Sequence, residues 1–221
     1  MPVQPGFVIF DYGNVLSQPQ NRAEIAAMAA VFNVPVARFQ DAYWPDRAAF
    51  DRATMTPEFY WTKLAERLSR TLSDAGCERL IELDNLSWAN PDLAMVEWAR
   101  ELRGAGVKTA ILSNMPVTLR RHLDRFCPWL PEFDYGCFSC DVGLVKPAPE
   151  IFLQCLAGLG AAVAETLFLD DREENVVAAR GLGINAIHFT TPAQAQLEIS
   201  RQYRLPFPIR SSGDGRTRAQ A

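Results

Sequence analysis

No apolar run in this chain approaches the ~20 residues that cross a bilayer, so no membrane partner is expected. The N-terminus lacks a basic segment leading into an apolar core, and no signal peptide is legible. Positive charge is not in excess: 22 Lys and Arg stand against 26 Asp and Glu, a net charge of −4. That removes any general electrostatic case for nucleic acid or an anionic surface. The five cysteines are odd in number and lack the spacing of a disulfide framework. Cys137 and Cys140 are spaced like a metal or redox pair, yet no second pair follows for zinc and no helix start suggests redox work. Unremarkable thiols in a reducing cytoplasm are expected. The only two histidines, His122 and His188, stand outside the motifs described below and are given structural roles. Internal repeats are lacking too. What is present is ordinary for a soluble globular protein: 48% hydrophobic and 22% charged residues in 221 residues, enough for one good core or one domain with an insertion.

Local patterning divides the chain. Phe7 to Phe10 is a short apolar run that fits a strand buried on both faces. It runs straight into Asp11 and a Gly13-Asn14 turn. Residues 17 to 88 then hold no convincing strand. Residues 22 to 32 are rich in helix formers, and Val36 to Tyr43 resumes a helical pattern after Pro35. Thr56-Pro57-Glu58 is a helix start, with Thr56 as N-cap and Pro57 at the first position. Phe59, Tyr60, Leu64 and Leu68 mark its apolar face, and Ser73 to Leu83 reads as another helix.

From residue 92 helix and strand alternate. Helices are predicted over Leu93 to Arg103, Val117 to Phe126, Glu150 to Gly158, Glu173 to Leu182 and Ala193 to Tyr203. Strands are predicted over Val107 to Leu112, Tyr135 to Phe138, Thr166 to Leu169 and Ala186 to Phe189, with a loop over Asp141 to Ala148. This rhythm predicts an α/β fold, a Rossmann-like parallel sheet flanked by helices on both faces, with an inserted all-helical unit. The expected division is 1–16 and 89–205 for the core and 17–88 for the helical unit. Residues 206–221 hold Pro, Gly, Ser and Arg without periodicity and are expected to form a disordered tail.

Chemistry gathers where the strands end. Asp11, Ser113-Asn114 and Asp170-Asp171 follow predicted strands, and Lys146 lies in the loop after the short one. In a doubly wound sheet such ends converge on one crevice. Three carboxylates can hold a hard divalent cation, and Mg²⁺ prefers oxygen ligands with waters retained. A Ser hydroxyl and a Lys ammonium can grip phosphoryl oxygens and offset the charge that spreads over them in transfer. One carboxylate left free to attack gives an aspartyl-phosphate, and Asp11 is the candidate nucleophile. Singly, each residue has a plainer reading. Lys146 is a solvated charge, Ser113 a helix N-cap, and Asp170-Asp171 a pair favouring the positive end of a helix dipole. Four such loops in one order make those coincidences a poor account.

The wording of these loops resembles the haloacid dehalogenase superfamily in its phosphatase-like branch. The matching pieces are Phe10-Asp11-Tyr12-Gly13-Asn14-Val15-Leu16, Ile111-Leu112-Ser113-Asn114, Gly143-Leu144-Val145-Lys146-Pro147 and Leu169-Asp170-Asp171-Arg172-Glu173-Glu174-Asn175, in the family's order and spacing, over about residues 7 to 203. The helical unit matches the family's cap, inserted after the first loop. The first loop resembles the subgroup of sugar-1-phosphate phosphatases and the N-terminal domains of soluble epoxide hydrolases. The resemblance implies a Mg²⁺-dependent phosphatase of a small phosphorylated metabolite, of which a sugar phosphate is one candidate. It implies Asp11 as nucleophile and metal ligand, the Gly13 carbonyl as second ligand, and Asp171 as direct ligand with Asp170 nearby or bound through water. It implies that Ser113 and the Asn114 backbone hold a phosphate oxygen, that Lys146 pairs with Asp11 and the phosphoryl group, and that Asn175 orders the acidic loop.

One position departs from the pattern. Most phosphatases of this superfamily carry Asp two residues after the nucleophile, to protonate the leaving oxygen and then deprotonate water. Here Gly13 stands there. Losing a general acid–base group removes a factor of ~10²–10⁴. Three readings follow: a phosphatase in which water or another group moves the proton, a 2-haloacid dehalogenase, or a phosphate-binding or regulatory module with little turnover. The dehalogenase pattern places Tyr-Gly one position later and has no use for an acidic metal loop. A binding module need not keep a nucleophile.

Within the helical unit, Tyr43-Trp44-Pro45-Asp46-Arg47-Ala48-Ala49-Phe50-Asp51-Arg52 is the segment most suited to a substrate. Arg47 either reaches a phosphate or hydroxyl or pairs with Asp51 across a helix turn. Trp44 and Phe50 are expected to fill the unit's core, and Trp61 and Trp88 to pack at its boundaries.

Overall fold

The computed structural model describes residues 4–205, and the expected tail over 206–221 lies outside them. Strand β1 (Phe7–Phe10) is followed by a wide turn over Tyr12–Leu16, closed by the Ser17 N–H on the Tyr12 carbonyl at 2.8 Å. Five helices come next: α1 (Arg22–Val31), α2 (Val36–Tyr43), α3 (Arg47–Asp51), α4 (Pro57–Arg67) and α5 (Asp74–Trp88). The chain then alternates through α6 (Leu93–Gly104), β2 (Lys108–Ser113), α7 (Val117–Phe126), β3 (Tyr135–Phe138), α8 (Ser139–Val142) and α9 (Pro149–Leu159). It ends with β4 (Thr166–Asp170), α10 (Glu173–Gly181), β5 (Asn185–His188) and α11 (Pro192–Gln202).

The five strands form one parallel sheet in the order β3-β2-β1-β4-β5. Its two faces read directly off the pleat, because successive side chains point opposite ways. Val8, Phe10, Ile111, Leu167 and Leu169 pack against α6, α7 and α11, while Ile9, Ala110, Leu112 and Phe168 pack against α9 and α10. Burying both faces is why these strands read as continuous apolar runs. β1 is central, so its carboxyl end lies between those of β2 and β4. Phe10 pairs with both Ile111 and Leu169. The next residue, Asp11, stands beside the ends that carry Ser113 and Asp170.

The bundle α1–α5 has its own core, from Ile25 and Met28 through Phe39, Tyr60 and Trp61 to Leu83. Two chain segments join it to the sheet side by side. Gln18 N–H donates to Asn90, Asp92 N–H to Leu16 and Asn21 N–H to Ser87.

Several boundaries differ from those expected. Helix α5 continues to Trp88, past the last apolar residue of its pattern, because the extra turn buries polar residues with partners. Asp84 meets Arg47 and Tyr43, and Ser87 accepts from Gln20. The short helices α3 and α8 are too brief for periodicity to reveal. Trp61 is fully buried at the centre of the bundle and not at its edge. Trp44 does not fill the core. It follows the end of α2, sets its edge against Tyr43 and stays 49% exposed at the mouth of a cavity.

Candidate active site

The end of β1 supplies Asp11, which is buried. Its Oδ1 accepts from the Tyr12 N–H at 2.7 Å and from Lys146 Nζ at 2.8 Å, and Oδ2 makes no hydrogen bond among the described residues. The turn that follows needs one left-handed residue, and Asn14 takes it at φ 58°, a conformation asparagine tolerates better than most. That turn aims the Asn14 amide at Asp171 Oδ2, 2.7 Å away. Gly13 is different: at φ −62° and ψ 129° its backbone suits any residue. A Cβ there would stand 3.5 Å from the Trp88 ring, an ordinary contact. Neither strain nor a close approach imposes the missing side chain.

The end of β2 supplies Ser113, buried at the cavity wall, with no hydrogen bond from its hydroxyl among the described residues. The neighbouring Asn114 clasps the loop after α8. Its Nδ2 donates to the Lys146 carbonyl and its Oδ1 accepts from the Lys146 N–H, both at 2.9 Å. Backbone pinned in this way lets the Lys146 side chain reach inward. Its Nζ donates to Asp11 Oδ1, Asp170 Oδ2 at 2.6 Å and the Leu112 carbonyl at 2.9 Å. All three ammonium protons are used. Burial works against the Lys146 charge, but Asp11 and Asp170 outweigh it and raise its pKa.

At the end of β4 the two acidic neighbours differ. Asp170 is fully buried and takes Lys146 Nζ, the Arg172 N–H and the Asn175 amide. Asp171 turns toward the cavity. Its Oδ2 accepts from Asn14, and its Oδ1 is free among the described residues. The expectation that His188 lacks a partner in the motifs is corrected: its Nε2 donates to the Asp171 carbonyl at 2.8 Å. β4 pairs with β5, with Asp170 opposite His188, and that register brings the ring there.

Asp11, Asp170 and Asp171 each offer an oxygen within 4.8 Å of the others. Burial lifts the Asp11 carboxyl to about 7, against the pull of Lys146 and with the charges of Asp170 and Asp171 adding to the rise. Burial also raises Asp171. One lysine thus stands among three crowded carboxylates, and this all-oxygen donor set fits a hard divalent cation such as Mg²⁺.

Asp11, Ser113, Lys146 and Asp171 line the floor of a cavity of about 600 Å³, with Asp170 buried behind them. Its other side comes from the bundle: Trp44, Arg47, Ala48 and Asp51, with Trp88 where the bundle rejoins the sheet. Arg47 is buried in an ion-pair network. Its Nε donates to Asp51 Oδ1 and its Nη1 to Asp84 Oδ2, each at 2.9 Å, and Nη1 also meets the Tyr43 hydroxyl. Sequence reasoning offered the Arg47–Asp51 pair as one of two readings but did not find Trp88 or Asp51 as cavity residues. Nothing local signals them, since each depends on how the bundle meets the sheet. Asn14 was findable, because a Gly-Asn turn before a motif loop places an amide at the strand end.

The model of the haloacid dehalogenase-like hydrolases matches residues 7–183. The chain belongs to that family, and its Rossmann-like core with the acidic cluster is the family's hydrolase fold. Two curated relatives are similar over half of it. The sesquiterpene phosphatase astK of Aspergillus oryzae is 32% identical over 109 residues, 49% of this chain and 56% of that protein. Bifunctional epoxide hydrolase 2 of Rattus norvegicus is 31% identical over 118 residues, 52% of this chain and 21% of that protein. The chain therefore spans about half or less of the length of these relatives. Among solved structures, a family enzyme from Bacteroides thetaiotaomicron in complex with magnesium and inorganic phosphate superposes with a TM-score of 0.68 at 20% identity, covering 85% of this chain and 94% of that one. No helix of the described residues is long and apolar enough to cross a membrane.

Proposed function

We propose that this hydrolase is a Mg²⁺-dependent phosphatase acting on a small phosphorylated metabolite. The observation that carries the reading is the convergence of Asp11, Ser113, Lys146 and Asp171 on one cavity. Asp11 is the nucleophile. Its one engaged oxygen, held by Tyr12 and Lys146, fixes the carboxylate for attack on phosphorus. The phospho-aspartate formed is then hydrolysed by water. Ser113 and the Asn114 backbone hold a phosphoryl oxygen, and Lys146 offsets charge there.

Asp11, the Gly13 carbonyl and Asp171 are the residues that would hold Mg²⁺. Asp170, saturated by Lys146, Arg172 and Asn175, acts by positioning or through water. When bound, the cation offsets the charge of the transferring phosphoryl oxygens. Phosphatase relatives and a neighbour that binds magnesium and phosphate support this reading. Residues 17–88 serve as the cap that excludes water and selects the leaving group. Trp44 and Trp88 on the cavity wall suit the ring face of a sugar phosphate.

The test is a screen of phosphorylated metabolites with Mg²⁺, run beside Asp11→Asn. Phosphate release is expected from the unaltered chain and not from the variant. Release that persists in Asp11→Asn would overturn Asp11 as nucleophile.

A further inference from the structure

We infer that Asp51, a carboxylate borne by the helical bundle, supplies the general acid–base function that Gly13 cannot. The inference rests on the phosphatase reading and deepens it. Asp11 attacks phosphorus from the floor of the cavity, and in-line displacement places the leaving oxygen on the opposite side. That side is the bundle. Among the described residues, the bundle presents two charged side chains to the cavity, Arg47 and Asp51, and Asp51 is the one that can give and take a proton near neutrality.

The local geometry suits the task. Asp51 Oδ1 is held by Arg47 Nε at 2.9 Å, which fixes the carboxyl plane. Oδ2 has no hydrogen-bond partner among the described residues, and Asp51 lines the cavity. The backbone is fixed to the phosphate-binding side as well. The Ser139 hydroxyl donates to the Asp51 carbonyl at 2.6 Å and accepts from the Met115 N–H at 2.9 Å, and Met115 follows Ser113-Asn114 directly. Burial lifts the Asp51 carboxyl to about 6 against the pull of Arg47, with Asp84 adding to the rise, within the range an acid–base catalyst needs. The other carboxylate at the rim, Glu174, is exposed and ion-paired with Arg172 on the core side.

The step balances. Protonated Asp51 gives its proton to the leaving oxygen as that oxygen's bond to phosphorus breaks and the Asp11–phosphorus bond forms. In the second half, ionised Asp51 takes a proton from the attacking water. The water oxygen bonds to phosphorus, the Asp11–phosphorus bond breaks, and inorganic phosphate leaves with both carboxyl groups restored.

Two substrates of like shape separate this role from a structural one. p-Nitrophenyl phosphate releases a good leaving group that needs no proton, whereas benzyl phosphate releases an alkoxide that does. With Mg²⁺ present, Asp51→Asn keeps an oxygen for Arg47 and is expected to lose ~10²–10⁴-fold on benzyl phosphate but less than about tenfold on the nitrophenyl ester. The ratio of the two rates is independent of the fraction folded, so partial misfolding does not mimic the result. Asp51→Glu should recover part of the benzyl activity, and Glu174→Gln should leave the ratio unchanged. Equal losses on both substrates, or a ratio that shifts in Glu174→Gln instead, would overturn Asp51 as the acid. Failure of the unaltered chain to hydrolyse either ester, or retained activity in Asp11→Asn, would bring down the phosphatase reading and this inference with it.

Discussion

Asp51 shows how one residue's titration reaches the whole fold. Its carboxyl sits at about 6 in the folded chain against an ordinary value of 3.8, because burial outweighs the pull of Arg47. The folded state therefore holds this proton more tightly than the unfolded chain does. The stability that follows is fully present below pH 3.8 and is lost as pH rises to about 6. Asp51→Asn has nothing to titrate. Urea denaturation at pH 4, 5, 6 and 7 should show a shallower fall for the variant, with a difference on the order of 2–3 kcal/mol across that window. Parallel curves would mean that Arg47 keeps Asp51 ionised throughout. Arg47, with Asp51 and Asp84 as partners, has its charge already compensated within the bundle.

At the scale of elements, one hydroxyl ties the bundle to the sheet. Ser139 opens α8, and its Oγ joins the end of α3 to the Met115 backbone. Ser139→Ala would leave a buried carbonyl and a buried N–H without that partner, a cost of about 1–3 kcal/mol. Urea denaturation should show the loss. Amide exchange should rise in α3 more than in α4, whose contacts lie within the bundle core. Unchanged exchange in α3 would show that the aromatic packing of Phe50 on Tyr60, at 4.3 Å between ring centroids, holds the helix unaided. The long elements were legible in the sequence because caps and periodicity are local: Thr56 does accept from Phe59 and Ser73 from Gly76. The short α3 and α8, and the last turn of α5, were not. They are stabilised by partners far along the chain, and no window of neighbouring residues contains those partners.

Across the whole molecule, the parallel sheet brings four separate loops to one edge, and the bundle closes over them. The floor of the site was legible because each of its residues directly follows a strand or sits in a short motif loop. Topology then does the assembly, and Asp11, Ser113, Lys146 and Asp171 meet without any long-range information beyond strand order. Of the roof, the segment Tyr43 to Arg52 was legible but the part each residue plays was not, since Asp51, Trp44 and Trp88 face the cavity only through the docking of one hydrophobic core on another. The price of the floor is crowding: three carboxylates lie within 4.8 Å, with Lys146 the cation buried among them. A cation that binds them in the folded chain alone must raise stability by mass action, about 2.7 kcal/mol at a hundredfold excess over its Kd. Titration with Mg²⁺ at neutral pH should therefore raise the melting temperature in a concentration-dependent way, and Ca²⁺, a larger oxygen-seeking ion, provides the comparison. Asp171→Asn keeps the hydrogen bond from Asn14 within reach but removes a charge from the cluster. It should melt at least as high as the unaltered chain without metal and lose most of the Mg²⁺-dependent rise. An equal rise in both proteins would place the bound cation elsewhere on the molecule and remove Asp171 from its ligands.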